Sequence, residues 1–197
     1  MAERGSDPPA GLTAAEFTAR FQSGARVLWT LAAGLLGDPA EAEDVCQEAF
    51  LAAYAKREQF DPATNFQAWM GRFIRNVAAN ELRKRARRNT ASCDPALLDG
   101  GASAVVRERG ECAGLEGFDE RLAAGLRELA DVPRSCLLLR TLRELSFAEI
   151  AELLEIPEGT AMSHVHRARL ALRARLSQES AAEASKQVVG RRLGVQP

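Results

Sequence analysis

The sequence predicts an all-α protein, two small helical bundles joined by a flexible linker, with a helix-turn-helix in the second bundle. Three observations carry this. Apolar residues recur at helical spacing in one segment after another, no segment alternates with the period of two that marks a strand, and between residues 89 and 117 the helical pattern lapses. That lapse holds five glycines and Pro95 and no aromatic residue, and at about 29 positions it is too long for a loop inside a compact domain. The expected organisation is a first bundle over 10–90, a linker over 91–117, a second bundle over 118–177 and a frayed polar tail over 178–197.

The first helix is expected to begin at Thr13, whose TAAE sequence fits a capping box, and to run through Phe17, Phe21, Leu28 and Leu31 to a stop at Gly37. Asp38-Pro39 restarts the chain. Asp38 suits the N-cap, Pro39 the first helical position and Glu41 the third, with Ala42, Val45, Ala49 and Ala52 turned inward and Glu43, Asp44 and Gln47 outward. A third helix is expected from about Asn65, with Phe66, Trp69, Phe73 and Val77 as its core stripe; Phe66 could serve as core or as the rim of a pocket. At 100° per residue, Arg72, Asn76, Asn80, Arg83 and Arg87 gather in one sector of roughly 80°. Guanidinium and carboxamide groups along one side can hold phosphates and read base edges.

After the linker, Leu122, Leu126 and Leu129 mark a helix, and Pro133 opens another through Cys136, Leu137, Leu139 and Leu142. Ser146, with Glu149 three residues on, caps a helix whose stripe is Phe147, Ile150, Ala151 and Leu154. Ile156-Pro157-Glu158-Gly159 breaks it. In the helix beyond, Ala161, Val165, Ala168, Leu172 and Leu176 face inward, which turns Met162, Ser163, His166 and Arg167 outward, placed to reach a major groove. From Gly159 to Arg175 the chain has four arginines, two histidines and no acid, a run of one sign that points to phosphate as its neighbour.

The net charge of −1 looks wrong for a nucleic-acid-binding protein, but it averages two opposed segments. Residues 38–48 carry five acids and no base, whereas residues 72–88 carry seven bases against Glu81 alone. One face wants a basic partner and the other an acidic one. No run of 18 apolar residues and no signal-peptide core is present, so the expected location is cytoplasmic, without membrane insertion. Cys46, Cys93, Cys112 and Cys136 are far apart and form no CxxC pair, and His164 and His166 fall on different helix faces, so no metal site, disulfide framework or cofactor is implied. Cys93 and Cys112 in the linker read as stray thiols before they read as a redox switch. No phosphate loop, catalytic carboxylate pair or activated nucleophile marks an enzyme.

Three stretches together resemble a known family: GDPAEAEDVCQEAFLAAYAKREQF, then NFQAWMGRFIRNVAANELRKRARR, then VPRSCLLLRTLRELSFAEIAELLEIPEGTAMSHVHRARLALRARL. Their content and order are similar to the extracytoplasmic-function (ECF) sigma factors of bacterial RNA polymerase, over roughly residues 10–90 and 118–177. The resemblance implies a transcription initiation factor that docks on core RNA polymerase, on the largest-subunit clamp and on the flap, and confers promoter recognition and DNA opening. It assigns Asp38, Glu43, Asp44 and Gln47 to the clamp. It assigns Phe60, Asn65, Phe66, Arg72, Arg75, Asn76, Asn80, Arg83 and Arg87 to the minus-10 element, the loop from Phe60 to Phe66 being where the family holds a flipped base. Thr160, Met162, Ser163, His164, His166, Arg167 and Arg169 fall to the minus-35 duplex, and an anti-sigma factor is the implied regulator. The family's recognition helix reads close to GTVRSRLHRAR, whereas here it is GTAMSHVHRAR. Met162 and His164 stand where two cations are usual, which alters both phosphate binding and base preference. Two other readings fit parts of the chain: a stand-alone helix-turn-helix regulator, which would need an apolar sensor pocket or dimer seam in front, and a sigma-like decoy that sequesters an anti-sigma factor.

Overall fold

The computed structural model describes residues 11–91 and 120–192, with side chains over 11–88 and 121–178. The expected linker beyond Ala91, which α3 includes, and the thiols of Cys93 and Cys112 lie outside the described residues. Among those residues the chain is all-α. Helices α1 (Ala14–Leu36), α2 (Pro39–Tyr54) and α3 (Phe66–Ala91) make the first bundle, with one 3-10 turn at Arg57–Gln59. Helices α4 (Glu120–Arg127), α5 (Asp131–Leu142), α6 (Phe147–Leu154) and α7 (Glu158–Arg192) make the second.

The helix starts follow from local hydrogen bonds. The Thr13 hydroxyl accepts from the Glu16 N–H at 3.3 Å while the Glu16 carboxylate accepts from the Thr13 N–H at 2.9 Å, a reciprocal box; the Thr13 hydroxyl, donating to that carboxylate at 2.7 Å, and then the Thr13 N–H hold the Glu16 carboxyl below its ordinary pKa. Ser146 and Glu149 repeat the arrangement at α6. Asp38 caps α2 through the Ala40 N–H, with Pro39 behind it. Each such cap contributes about 1 kcal/mol. Gly37, at φ 70°, closes α1 in the left-handed conformation that a residue without Cβ adopts freely.

The first bundle has an aromatic core. Phe17 is fully buried and meets Phe50, Tyr54 and Phe66 edge to face at ring separations of 5.2, 5.6 and 5.5 Å, so one side chain of α1 ties α2 to α3. Removing it would cost about 3–5 kcal/mol, a large share of a small domain's stability. The stripe of α3 differs from expectation. Met70, Ile74 and Ala78 are its buried centre together with Phe66 and Val77, whereas Trp69 and Phe73 are half-buried on the flank. Trp69 and Phe73 lie about 100° before Met70 and Ile74 around the helix, and the contact with α1 and α2 falls on the later pair. For the same reason Ala53, four residues beyond Ala49, is buried on α2 and Ala52 is exposed.

In the second bundle Leu137, Leu139, Ile150, Leu153, Leu154, Ala161, Val165 and Ala168 close an aliphatic core. Helix α4 ends at Arg127, before Leu129, and α5 begins at Asp131, which puts Pro133 in its third position instead of its first. A first-turn N–H has no intrahelical acceptor, so proline there removes no hydrogen bond. Helix α7 does not fray at Gln178 but continues to Arg192. Polarity marks a solvated surface, and residues 178–192 are rich in Ala, Glu, Lys and Arg, which favour helix whether or not a core lies beneath.

The bundles pack on each other, which a tether alone does not foretell. Helix α5 lies along α1 and α6 rests on α3. Arg134 of α5 is only 4% exposed and inserts its guanidinium into the end of α1, where Nε donates to the Gly34 carbonyl at 2.6 Å and Nη2 to the Leu35 carbonyl at 3.0 Å. Those carbonyls are among the last four of α1 and have no partner within the helix. Asp131 pairs with the same guanidinium at 2.9 Å, and burial, only partly opposed by Asp131, pulls the Arg134 pKa below its ordinary value.

Candidate nucleic-acid interface

Helix α3 carries the cations of the first bundle, and its sequence decides which of them meet solvent. Arg72, Asn76, Asn80, Arg83 and Arg87 are all exposed along one side, as their spacing requires. The remaining bases of the run are structural. Arg85 pairs with Glu41 and so ties α3 to α2, while Lys84 and Arg88 share Glu81 at 3.1 and 2.8 Å. The lone acid of the basic run therefore neutralises two of its seven bases.

The loop before α3 departs from expectation. Phe60 is fully buried and Phe66 is 7% exposed; they pack edge to face at 5.6 Å, and Phe60 meets Trp69 at 5.2 Å. Neither ring offers a free face to a flipped base, because closing α3 over α1 uses both as core. Asn65 is exposed, and its Oδ1 accepts from the Gln67 and Ala68 N–H groups at 2.9 and 3.4 Å, an N-cap contact that leaves the amide NH₂ pointing away. That NH₂ donates to Glu152 of α6 at 3.0 Å.

Glu155, at the end of α6, reaches the same place. Its carboxylate pairs with Arg75 Nη2 at 2.7 Å and Arg72 Nε at 3.1 Å, and Arg75 Nη1 donates to the Leu153 carbonyl. Asn65 and Arg72 therefore share one hollow, lined also by Asp61, Thr64, Ala68 and Trp69, with Glu152 and Glu155 of the other bundle in it, while Arg75 reaches Glu155 from outside that lining. Sequence reasoning missed Glu152 and Glu155. Their three-residue spacing sets them on one side of α6, but nothing local says what that side faces.

On α2, Glu43, Asp44 and Gln47 are exposed as expected, and Asp38 is half-buried because its carboxylate caps the helix. Glu43 and Gln47 also border a groove of about 470 Å³ floored by Phe21, Trp29, Phe50 and Leu51, with Leu51 67% exposed. The sequence hint was Phe50-Leu51 lying outside the buried stripe. A second groove, about 800 Å³, runs between α5 and α7 past Leu122, Leu126, Leu138, Leu142 and Leu172.

On α7, Met162, Ser163, His166, Arg167 and Arg169 are exposed, while Thr160 and His164 are half-buried. The recognition face is thus less cationic than its composition: Met162 is 51% and Leu170 53% exposed, and Ser163 turns its hydroxyl back onto the Gly159 carbonyl at 2.8 Å. Burial, and secondarily Arg167 nearby, hold the His164 imidazole below its usual pKa. Arg175 is committed to Glu128 at 2.9 Å.

Two family models match the chain, Sigma-70 region 2 over residues 21–88 and Sigma-70 region 4 over residues 119–172. The chain is 32% identical over 156 residues to the ECF RNA polymerase sigma factor SigW of Bacillus subtilis, a match covering 76% of this chain and 82% of that one. It is 33% identical over 171 residues to the ECF RNA polymerase sigma factor SigL of Mycobacterium tuberculosis, covering 86% and 93%. Among solved structures, the sigma factor RpoE of Bartonella quintana, crystallised with the anti-sigma factor NepR, superposes with a TM-score of 0.61 at 24% identity, over 82% of this chain and 96% of that one. CnrH, crystallised with the cytosolic domain of CnrY, gives 0.57 at 22% identity, over 84% and 90%.

Proposed function

The chain belongs to the ECF sigma factors of RNA polymerase, and from that premise we propose how its helices divide the work. The first bundle, residues 10–90, docks on core polymerase and takes the minus-10 element. The second, residues 118–177, reads the minus-35 duplex, and 91–117 spans the distance between them. On α2, Glu43, Asp44 and Gln47, with Asp38 at the helix start, form the clamp contact. The acids steer a basic surface into register, and Phe50 and Leu51 beside them supply the apolar area that charge alone does not. The groove between α5 and α7 takes the flap by the same logic.

The observation that carries this reading is the row Arg72, Asn76, Asn80, Arg83 and Arg87 on the exposed side of α3. Guanidinium groups anchor phosphates and carboxamides reach base edges, and one helix side offers both along its length. Phe60 and Phe66 act by holding α3 and its loop in place, and any base captured there meets Asn65 and the half-buried Trp69. On α7, Met162 gives the minus-35 contact an apolar element, so its preferred bases include a thymine methyl in place of a guanine edge. The neighbour RpoE was crystallised with the anti-sigma factor NepR, and an anti-sigma protein is the expected partner here. The test is co-purification with core RNA polymerase followed by run-off transcription from a promoter library. Initiation at a defined sequence only in its presence is the expected result. A chain that retains duplex sites alone and ignores polymerase would be a stand-alone regulator.

A further inference from the structure

We propose that the groove between α1 and α2 is a binding site for a free amphipathic monoanion, a small molecule with one carboxylate on an apolar body, and that its occupant competes with core polymerase. The competition rests on the assignment of this side of α2 to docking; the binding site does not. Phe21 and Phe50, edge to face at 4.8 Å, make an apolar floor with Leu51. Trp29, Arg26 and Arg143 line the same space, so the lining holds two guanidinium groups against the single carboxylate of Glu43. At about 470 Å³ the groove lies within the range of about 300–1,000 Å³ in which small molecules bind, against apolar and aromatic side chains with a few fixed polar groups.

The donors in that lining call for an anion. Trp29 is only 8% exposed, and its indole Nε1–H is buried without an acceptor. A buried indole N–H ordinarily has one, because a donor unpaired away from water carries its full desolvation cost. Arg143 ends α5 and is fixed against α1 by its Nε, which donates to the Thr30 hydroxyl at 2.8 Å. Burial, and secondarily the exposed Arg26, pull the Arg143 guanidinium below its ordinary pKa, the mark of two like charges close enough to repel in a partly dried groove. A carboxylate set among these groups accepts from the indole N–H and offsets the repulsion, while its apolar body covers Phe21, Phe50 and Leu51. A neutral occupant would cover the floor and leave the repulsion in place, so the head group is anionic.

Isothermal titration of the full chain with decanoate, kept below its micelle concentration, and with decanol tests the site. The expected result is one decanoate per chain, bound about tenfold more tightly than the alcohol. Trp29 emission should shift on binding in a Trp69→Phe background, where Trp29 is the remaining tryptophan. Arg26→Met should bring acid and alcohol to the same affinity, and the exposure of Arg26 leaves the fold intact; Arg143→Met should do the same. With decanoate at about ten times its dissociation constant, core polymerase should bind the parent chain about tenfold more weakly, an effect that Arg26→Met should lack. No saturable heat, equal affinity of acid and alcohol for the parent chain, or binding only in the micellar range would overturn the inference. Asp44→Lys with Gln47→Lys separates it from the docking assignment. If that variant loses polymerase while the parent binds no decanoate, docking stands and the inference falls. If the variant keeps polymerase while the parent binds decanoate one to one, the docking assignment falls and the competition with it, and the anion site stands.

Discussion

Helices α2 and α3 stand side by side in the first bundle with opposite charge, and they differ in how that charge is used. On α2, Glu43, Asp44 and Glu48 are exposed, Glu43 at the border of an apolar groove, and the function proposed above makes this side a surface for another molecule. On α3, five of the seven bases from 72 to 88 are engaged by carboxylates of the same chain: Arg72 and Arg75 by Glu155, Lys84 and Arg88 by Glu81, Arg85 by Glu41. Among the described residues, Arg83 and Arg87 make no ion pair. A charge run in a sequence therefore measures what a face could offer, and only its partners say how much is available.

The largest effect that would break this contrast is on α2. Asp44→Lys together with Gln47→Lys should abolish co-purification with core polymerase while circular dichroism shows the same helical content; retained binding would remove α2 from the interface. On α3, Arg83→Ala with Arg87→Ala should weaken promoter binding by the holoenzyme and flatten its salt dependence. If both reach phosphate, the slope of log K against log salt concentration falls by about 1.4–1.8. An unaltered slope would mean that these two arginines do not touch the backbone. A third test sharpens the comparison by extending it to α7. Met162→Arg adds a cation on a face where an apolar side chain is half exposed, and should shift the selected minus-35 bases toward guanine by about 1–3 kcal/mol of discrimination. Selection from a randomised duplex library reads the outcome, and an unchanged consensus would place Met162 outside the groove.

The smallest effect is at His164. Its folded-state pKa lies below the ordinary value of 6.5, so the unfolded chain binds the extra proton more readily. Stability should therefore rise with pH through the interval between the folded value and 6.5, and fall on acidification through the same interval. His164→Gln should remove that slope from urea midpoints measured on either side of the interval. The same midpoint shift in the variant would assign the pH dependence elsewhere.

How much was legible follows the range of the interactions. The starts of α1, α2 and α6 were readable because Thr13 with Glu16, Asp38 with Ala40 and Ser146 with Glu149 are contacts within three residues. The exposed row on α3 was readable because helical pitch is invariant. The buried row was not: choosing Met70 and Ile74 over Trp69 and Phe73 depends on the angle at which α3 meets α1 and α2. The continuation of α7 beyond Gln178 is not legible from polarity, which marks a solvated surface and not a frayed end.

The sequence by itself determined that this protein is all-α, where its caps lie, and that it carries one acidic and one basic helix ahead of a helix-turn-helix. Those are properties of neighbouring residues and of a fixed helical period. Only the tertiary structure decided that Phe60 is core and not a base-stacking surface, and that Asn65, Arg72 and Arg75 are held by Glu152 and Glu155 more than 70 residues away. A carboxylate's charge is written in the sequence. The cation it meets depends on how two bundles pack, a choice made by the shape of both surfaces.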